Sequence, residues 1–172
     1  VYQNVILGLQ IQHQMTVEKL KKVNAMLEDY GLDKFKQARP SQLSGGMRQR
    51  AALIRTLALE PDLLLLDEPF SALDYQTRLN VSDDIGKIIR KEGQTAILVT
   101  HDISEAVSMA SRVLVLTKRP ASIKKALTIE FTPAVNSPLE ARNAPEFKNY
   151  FNQIWKELND DDPDVKSAAA VS

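Results

Sequence analysis

A chain of 172 residues is long enough for one domain with a sizeable core, and 44% hydrophobic with 26% charged residues is ordinary globular composition. Lys+Arg and Asp+Glu both number 22, so the balanced charge points to no nucleic acid and no anionic membrane as partner. The absence of cysteine excludes disulfides and thiolate metal sites, and the densest apolar run, Leu63 to Leu66, is far too short for a bilayer-spanning helix.

Val1 opens the chain inside what reads as an element, without a cap before it, which suggests a fragment or a gene truncated upstream. Val1 to Leu9 is mixed and apolar and predicts a short helix. Leu20, Val23, Leu27 and Tyr30 recur at helical spacing over Glu18 to Tyr30, and Gly31 ends that helix. After Arg39-Pro40, the Ser44-Gly45-Gly46 step opens a third helix with Met47, Ala51, Ile54 and Ala58 on one face. Leu63 to Leu66 is a continuous apolar run, the pattern of a strand buried on both faces of a parallel sheet.

A long helix follows from Tyr75 to Lys91, its apolar stripe formed by Val81, Ile85, Ile88 and Ile89, with Gly93 beyond it. Thr95 to Thr100 reads as a second buried strand. Asp102 to Ala110 is a short helix, with Asp102 at the N-cap and Glu105 at capping-box spacing. Arg112 to Thr117 is a further strand, and Leu127, Ile129 and Phe131 alternate with polar residues as in a half-exposed one. Pro133 to Pro145 reads as loop, and Phe147, Tyr150, Phe151, Ile154, Trp155 and Leu158 mark a C-terminal amphipathic helix. The tail from Asp160 is acidic, then small and polar, the composition of a disordered segment. Strands alternating with helices define an α/β fold with a parallel sheet, in which chemistry gathers at the carboxyl ends of strands.

Polar residues follow two of the apolar runs. In Leu64-Leu65-Leu66-Asp67-Glu68-Pro69, two acids stand where a strand ends. Asp67 there can hold Mg²⁺, since hard cations take oxygen ligands, and Glu68 can orient a water toward a phosphate. The hexapeptide alone reads equally well as two solvated acids at a turn. In Leu43-Ser44-Gly45-Gly46-Met47-Arg48-Gln49-Arg50, the glycines leave backbone N–H groups unshielded at a positive helix end, which can receive a phosphate. Alone, this is an ordinary serine cap with flexible glycines. Asp74, at the end of Ser71-Ala72-Leu73-Asp74, alone is a helix cap, and His101 alone is a loop histidine that can donate to a phosphate oxygen.

The order of these segments is more specific than any one of them. LSGGMRQR (43–50) resembles the signature motif of the ATP-binding cassette (ABC) ATPases, and LLLLDE (63–68) resembles their Walker B motif. SALD (71–74) is similar to the D-loop, and Thr100-His101-Asp102 to the H-loop. The resemblance runs to Leu158. It implies a P-loop NTPase-like (RecA-like) α/β sheet with a helical signature subdomain, incomplete at the N-terminus. It also implies two nucleotide-binding subunits, normally a homodimer, facing head to tail with ATP and Mg²⁺ between them. On that pattern Ser44, Gly45, Gly46 and Gln49 belong to the face that covers ATP held by the opposite subunit. Asp67 would help hold Mg²⁺, Glu68 would polarise the hydrolytic water, His101 would contact the γ-phosphate, and Asp74 would couple the two sites.

One departure from the family pattern stands out: no G-x-x-x-x-G-K-[ST] phosphate loop (Walker A) occurs. Without it most ATP affinity is expected to be lost, and a sheet lacking the Walker A strand is expected to leave strand edges and apolar faces exposed. The chain by itself is therefore expected to be a poor ATPase. The expected division is a helical signature part at 1–58, a RecA-like portion at 59–132, a loop and helix at 133–159, and the tail at 160–172. Lys118 to Lys124, Ser137 to Arg142 and the helix from Phe147 resemble the ends of bacterial nitrate, sulfonate and taurine importer ATPases. That resemblance implies a separate integral membrane permease, an extracytoplasmic substrate-binding protein, and a place on the cytoplasmic face of the cell membrane. Two other readings compete: a truncated, non-catalytic interaction module, and a soluble ABC ATPase of repair or translation. Against the latter, there is no long heptad run and no second cassette.

Overall fold

The computed structural model describes residues 1–159; the tail expected to be disordered lies outside the described residues. The described chain divides into two compact units, Val1–Ile97 and a second that begins at Leu98.

The first unit opens with α1 (Tyr2–Ile11), α2 (Val17–Asp29) and α3 (Gly45–Leu57), joined by short 3-10 turns at Asp33–Phe35 and Pro40–Gln42. α2 begins one turn before the apolar stripe because Thr16 caps it, its hydroxyl accepting from Lys19 N–H at 3.3 Å. It ends where Gly31 takes φ +72°, a left-handed value that lets Leu32 N–H return to the Leu27 carbonyl at 2.7 Å. α1 and α2 both pack on α3, burying Val5, Leu9, Val23, Leu27, Ile54 and Leu57. Strand β1 (Leu64–Asp67) leads into α4 (Tyr75–Lys91), which packs on α3 through Val81 and Ile85. At its far end, α4 and the residue after it meet the end of α2. Tyr30 hydroxyl donates to Glu92 Oε1 at 2.5 Å, and Lys91 lies 2.7 Å from Asp29 Oδ2 and over the Tyr30 ring.

β2 (Ala96–Val99) is the neighbour of β1, and α4 connects the two strands. The expectation that both strands are buried on two faces fails. Leu64 is 2% exposed, but Leu65 is 69% and Ile97 51% exposed. An apolar run encodes the capacity for burial on both faces; burial itself needs layers on both sides, and none among the described residues of this unit covers Leu65.

In the second unit, α5 (Ile103–Met109) precedes β3 (Arg112–Leu116), which pairs antiparallel with β4 (Ile123–Thr128) in the register Val113↔Leu127 and Val115↔Lys125. The expected alternating strand thus starts earlier and stops earlier than Leu127 to Phe131. The Thr117–Ser122 turn sets this: Thr117 N–H donates to the Ser122 carbonyl and Thr117 Oγ1 accepts from Ser122 N–H, both at 2.9 Å. Val113, Val115, Leu127 and Ile129 face a core shared with Ile103, Val107 and Ile154. Ile154 comes from α7 (Phe147–Asn159), whose Phe147, Tyr150 and Phe151 pack on the same core. The segment expected to be loop contains a helix, α6 (Pro138–Asn143). Ser137 caps it by accepting from Glu140 N–H at 3.2 Å, and Pro138 fits the first helical position, where no N–H is needed.

Candidate functional site

α3 begins at Gly45 because Ser44 is extended (φ −65°, ψ 166°) and its Oγ accepts from Met47 N–H at 3.3 Å. Ser44 is exposed, Gly45 half-buried and Gly46 buried. A Cβ on Gly46 would come within 2.8 Å of Val81 Cγ2, and one on Gly45 within 3.1 Å of Leu73 Cδ2. The pair therefore has a packing role besides baring backbone N–H groups: it lets the first turn of α3 lie directly against α4 and the segment before it. Arg48 Nη1 donates to the Leu43 carbonyl at 2.6 Å, and Arg50 forms an ion pair with Asp84 of α4, which fixes the same end.

The two acids stand at the carboxyl end of β1, where the sheet rule places them. Asp67 is exposed, and Glu68 is half-buried. Glu68 has φ +45°, a left-handed value that a glutamate rarely takes and that a following proline disfavours. Its carbonyl accepts from both the N–H and the hydroxyl of Ser71, at 3.3 and 3.0 Å. This conformation has no signal in the sequence. Non-glycine residues held in such regions cost about 1–3 kcal/mol and gather at functional sites.

Asp74 caps α4: its Oδ1 accepts from Thr77 N–H at 3.0 Å, and hydrogen bonding by Thr77 holds its carboxyl below the ordinary aspartate range. Arg78 Nη2 donates back to the Leu73 carbonyl at 3.1 Å, tying the SALD segment to the helix it precedes. Gln49 connects the two halves of this arrangement. Its Nε2 donates at 2.9 Å to the carbonyl of Pro69, the residue after Glu68. The fold thus brings the start of α3, the acid-bearing turn and the start of α4 into one cluster inside the first unit.

His101 belongs to the second unit and is exposed. The residues on either side of it are held firmly. Thr100 hydroxyl donates to the buried Glu105 carboxylate at 2.7 Å and accepts from Asp102 N–H at 3.0 Å. Asp102 Oδ1 accepts from Ser104 and Glu105 N–H at 2.7 and 3.2 Å. Glu105 therefore serves the Thr100 hydroxyl, a use the capping-box spacing does not foretell.

Among the described residues no group of three or more His, Asp or Glu is arranged to hold a metal. Magnesium sites on nucleotides commonly use one or two carboxylates together with phosphate oxygens and water, and the exposed Asp67 carboxylate fits such a site. No helix among the described residues is long and apolar enough to cross a membrane.

A glycine-opened helix, two acids at a strand end, an aspartate-capped helix and a histidine after the next strand stand in the order of the ABC signature, Walker B, D-loop and H-loop motifs. The comparisons point the same way, to the ABC transporter family. Residues 1–71 match that family. Over 159 residues the chain is 45% identical to an ABC transporter ATP-binding protein of Bacillus subtilis, covering 92% of this chain and 61% of the relative. It is 40% identical to the nitrate import ATP-binding protein of Synechocystis (90% and 59% covered). It is 38% identical to the taurine import ATP-binding protein of Roseobacter denitrificans (90% and 60%). The chain thus spans about three-fifths of the length of these relatives. A solved metal-chelate type ABC transporter in an inward-facing conformation shares the fold, with a TM-score of 0.58 at 24% identity over 73% of this chain and 50% of that one.

Proposed function

We propose that this chain is part of the ATP-binding and ATP-hydrolysing subunit of an importer for a small solute such as nitrate, a sulfonate or taurine. The observation that carries this reading is the placement of four motifs at four defined structural positions: helix start, strand end, helix cap and post-strand turn. Ser44, Gly45 and Gly46 form the face that covers ATP held by a second copy of the subunit. Asp67 helps hold Mg²⁺, whose charge would lie against the phosphates. Glu68 orients the attacking water, Asp74 links the two sites, and His101 contacts the γ-phosphate. Phosphoryl transfer asks chiefly for such positioning and charge stabilisation.

The working unit is a homodimer on the cytoplasmic face of the membrane, docked on a separate permease that an extracytoplasmic binding protein supplies with solute. Relatives named for nitrate and taurine import support the solute class, and a third relative, from Bacillus licheniformis, is named for aliphatic sulfonate import. Residues 1–58 serve as the helical signature part, 59–132 as the RecA-like portion and 133–159 as a C-terminal loop and helix. The phosphate loop must come from sequence outside these 172 residues.

The test measures ATP binding and turnover by this chain beside a version extended upstream through a phosphate loop. The expected result is activity only in the extended protein, with Glu68→Gln abolishing turnover while sparing binding. Turnover by the short chain alone would overturn the assignment of the nucleotide contacts.

A further inference from the structure

We infer that Gln49 is a positioning residue that joins the nucleotide face at the start of α3 to the backbone that presents Glu68. This rests on the reading of Ser44 to Gly46 and of Glu68 given above, and it assigns Gln49 a role other than contact with nucleotide.

Four observations carry it. The Gln49 side chain is half-buried, and its Nε2 is engaged at 2.9 Å by the Pro69 carbonyl, 20 residues further along the chain. Second, Glu68, the residue before Pro69, sits at φ +45°. A residue in that region stays there only where its surroundings over-determine it. Ser71 supplies two local hydrogen bonds to the Glu68 carbonyl, and Gln49 supplies one to the adjacent peptide from a different element. Third, Pro69 has a ring-locked φ, so a displacement of its carbonyl is passed to the Glu68–Pro69 peptide with little slack. Fourth, α3 is rigid at the end that matters: Gly46 lies against Val81 and Gly45 against Leu73, closer than a side chain would readily permit.

Gln49 lies five residues after Ser44, about 7 Å along the helix axis. A movement of the first turn of α3 therefore reaches Pro69 through one side chain and one hydrogen bond. In a head-to-tail pair of subunits, the start of α3 faces the nucleotide of one site while Glu68 serves the other. The Gln49–Pro69 bond then makes the aim of the Glu68 carboxylate in one site depend on occupancy of the opposite site.

The experiment uses the intact ATP-binding protein, with its phosphate loop, and the variants Gln49→Met, Gln49→Lys and Glu68→Gln. Met keeps the length and removes the donor; Lys keeps a donor on a chain of similar reach. Steady-state turnover and ATP binding are measured for each. The expected result for Gln49→Met is a fall in kcat of about ten- to a hundredfold, the scale of a small misplacement of a reacting group, with ATP affinity unchanged and the Hill coefficient for ATP lowered. Gln49→Lys should recover part of the kcat. A Gln49→Met protein with kcat within twofold of the parent overturns the inference, provided Glu68→Gln in the same assay is inactive. A raised KM with unchanged kcat overturns it as well and makes Gln49 a nucleotide contact. Retained turnover in Glu68→Gln overturns the underlying reading of Glu68, and the inference with it.

Discussion

Gly46→Ala is a sharp test of the packing described here, because one added methyl meets one methyl of a neighbour that has nowhere to go. The new Cβ would lie 2.8 Å from Val81 Cγ2, whereas carbon atoms settle at about 3.5–4.0 Å. Val81 is 3% exposed and β-branched in mid-helix, so its χ1 is confined to essentially one rotamer. Relief requires α3 and α4 to part, and overpacking of this kind costs about 1–3 kcal/mol. Alanine's advantage over glycine in a helix offsets less than about 1 kcal/mol, and less still in the first turn. The expected net loss is about 1–2 kcal/mol. Val81→Ala alone removes two methyl groups and costs roughly 2 kcal/mol. In the double variant the methyl added at position 46 occupies the space that the valine vacated, so the two losses should fall short of adding by about 1 kcal/mol or more. Urea denaturation of the intact protein and its three variants measures this coupling. Additivity within about 0.5 kcal/mol would refute the claim that glycine at position 46 is demanded by contact with α4.

Two further outcomes are expected. Burial, and then the hydrogen bond that its hydroxyl donates to the Glu92 carboxylate, push the Tyr30 phenol well above its ordinary value. The neutral phenol is thus favoured in the folded form, so this contribution is complete below about pH 10 and is lost as pH rises beyond it. Tyr30→Phe should cost about 0.5–1.5 kcal/mol at neutral pH and flatten the alkaline limb of a melting-temperature profile; an unchanged limb would count against the pairing. Thr100→Val deletes a hydroxyl that donates to buried Glu105 and accepts from Asp102. It should cost about 1–3 kcal/mol in a denaturation experiment and lower turnover by releasing the turn that carries His101, whereas Thr100→Ser should keep most of both.

Residue order makes most of the helices and strands legible and marks the segments proposed to carry the chemistry. Helical periodicity places α2, α3, α4 and α7 within a residue or two. The cap residues Ser44, Asp74 and Asp102 work as their types and positions suggest, each accepting from backbone N–H groups at its own helix start. These are local interactions, set by side chains within about four residues of one another, so they are legible in one dimension. At 133–145 the prolines suggest loop, yet the serine cap and the proline at the first helical position, Ser137-Pro138, are an equally local signal, and they prevail.

What remains depends on contacts between residues far apart in the chain, and no local pattern carries them. Leu65 and Ile97 are apolar enough for an interior, yet they lie exposed, since burial depends on what packs over a strand and no strand encodes its own cover. Gly46 reads as a flexible spacer until Val81, on the next helix of the packed pair, is found against it. The left-handed Glu68, the bond from Gln49 to Pro69 and the service of Glu105 to Thr100 depend on the same kind of meeting. Residue types could name the parts of the site; only the packing of α3 on α4 and the turn after β1 could set how those parts hold one another.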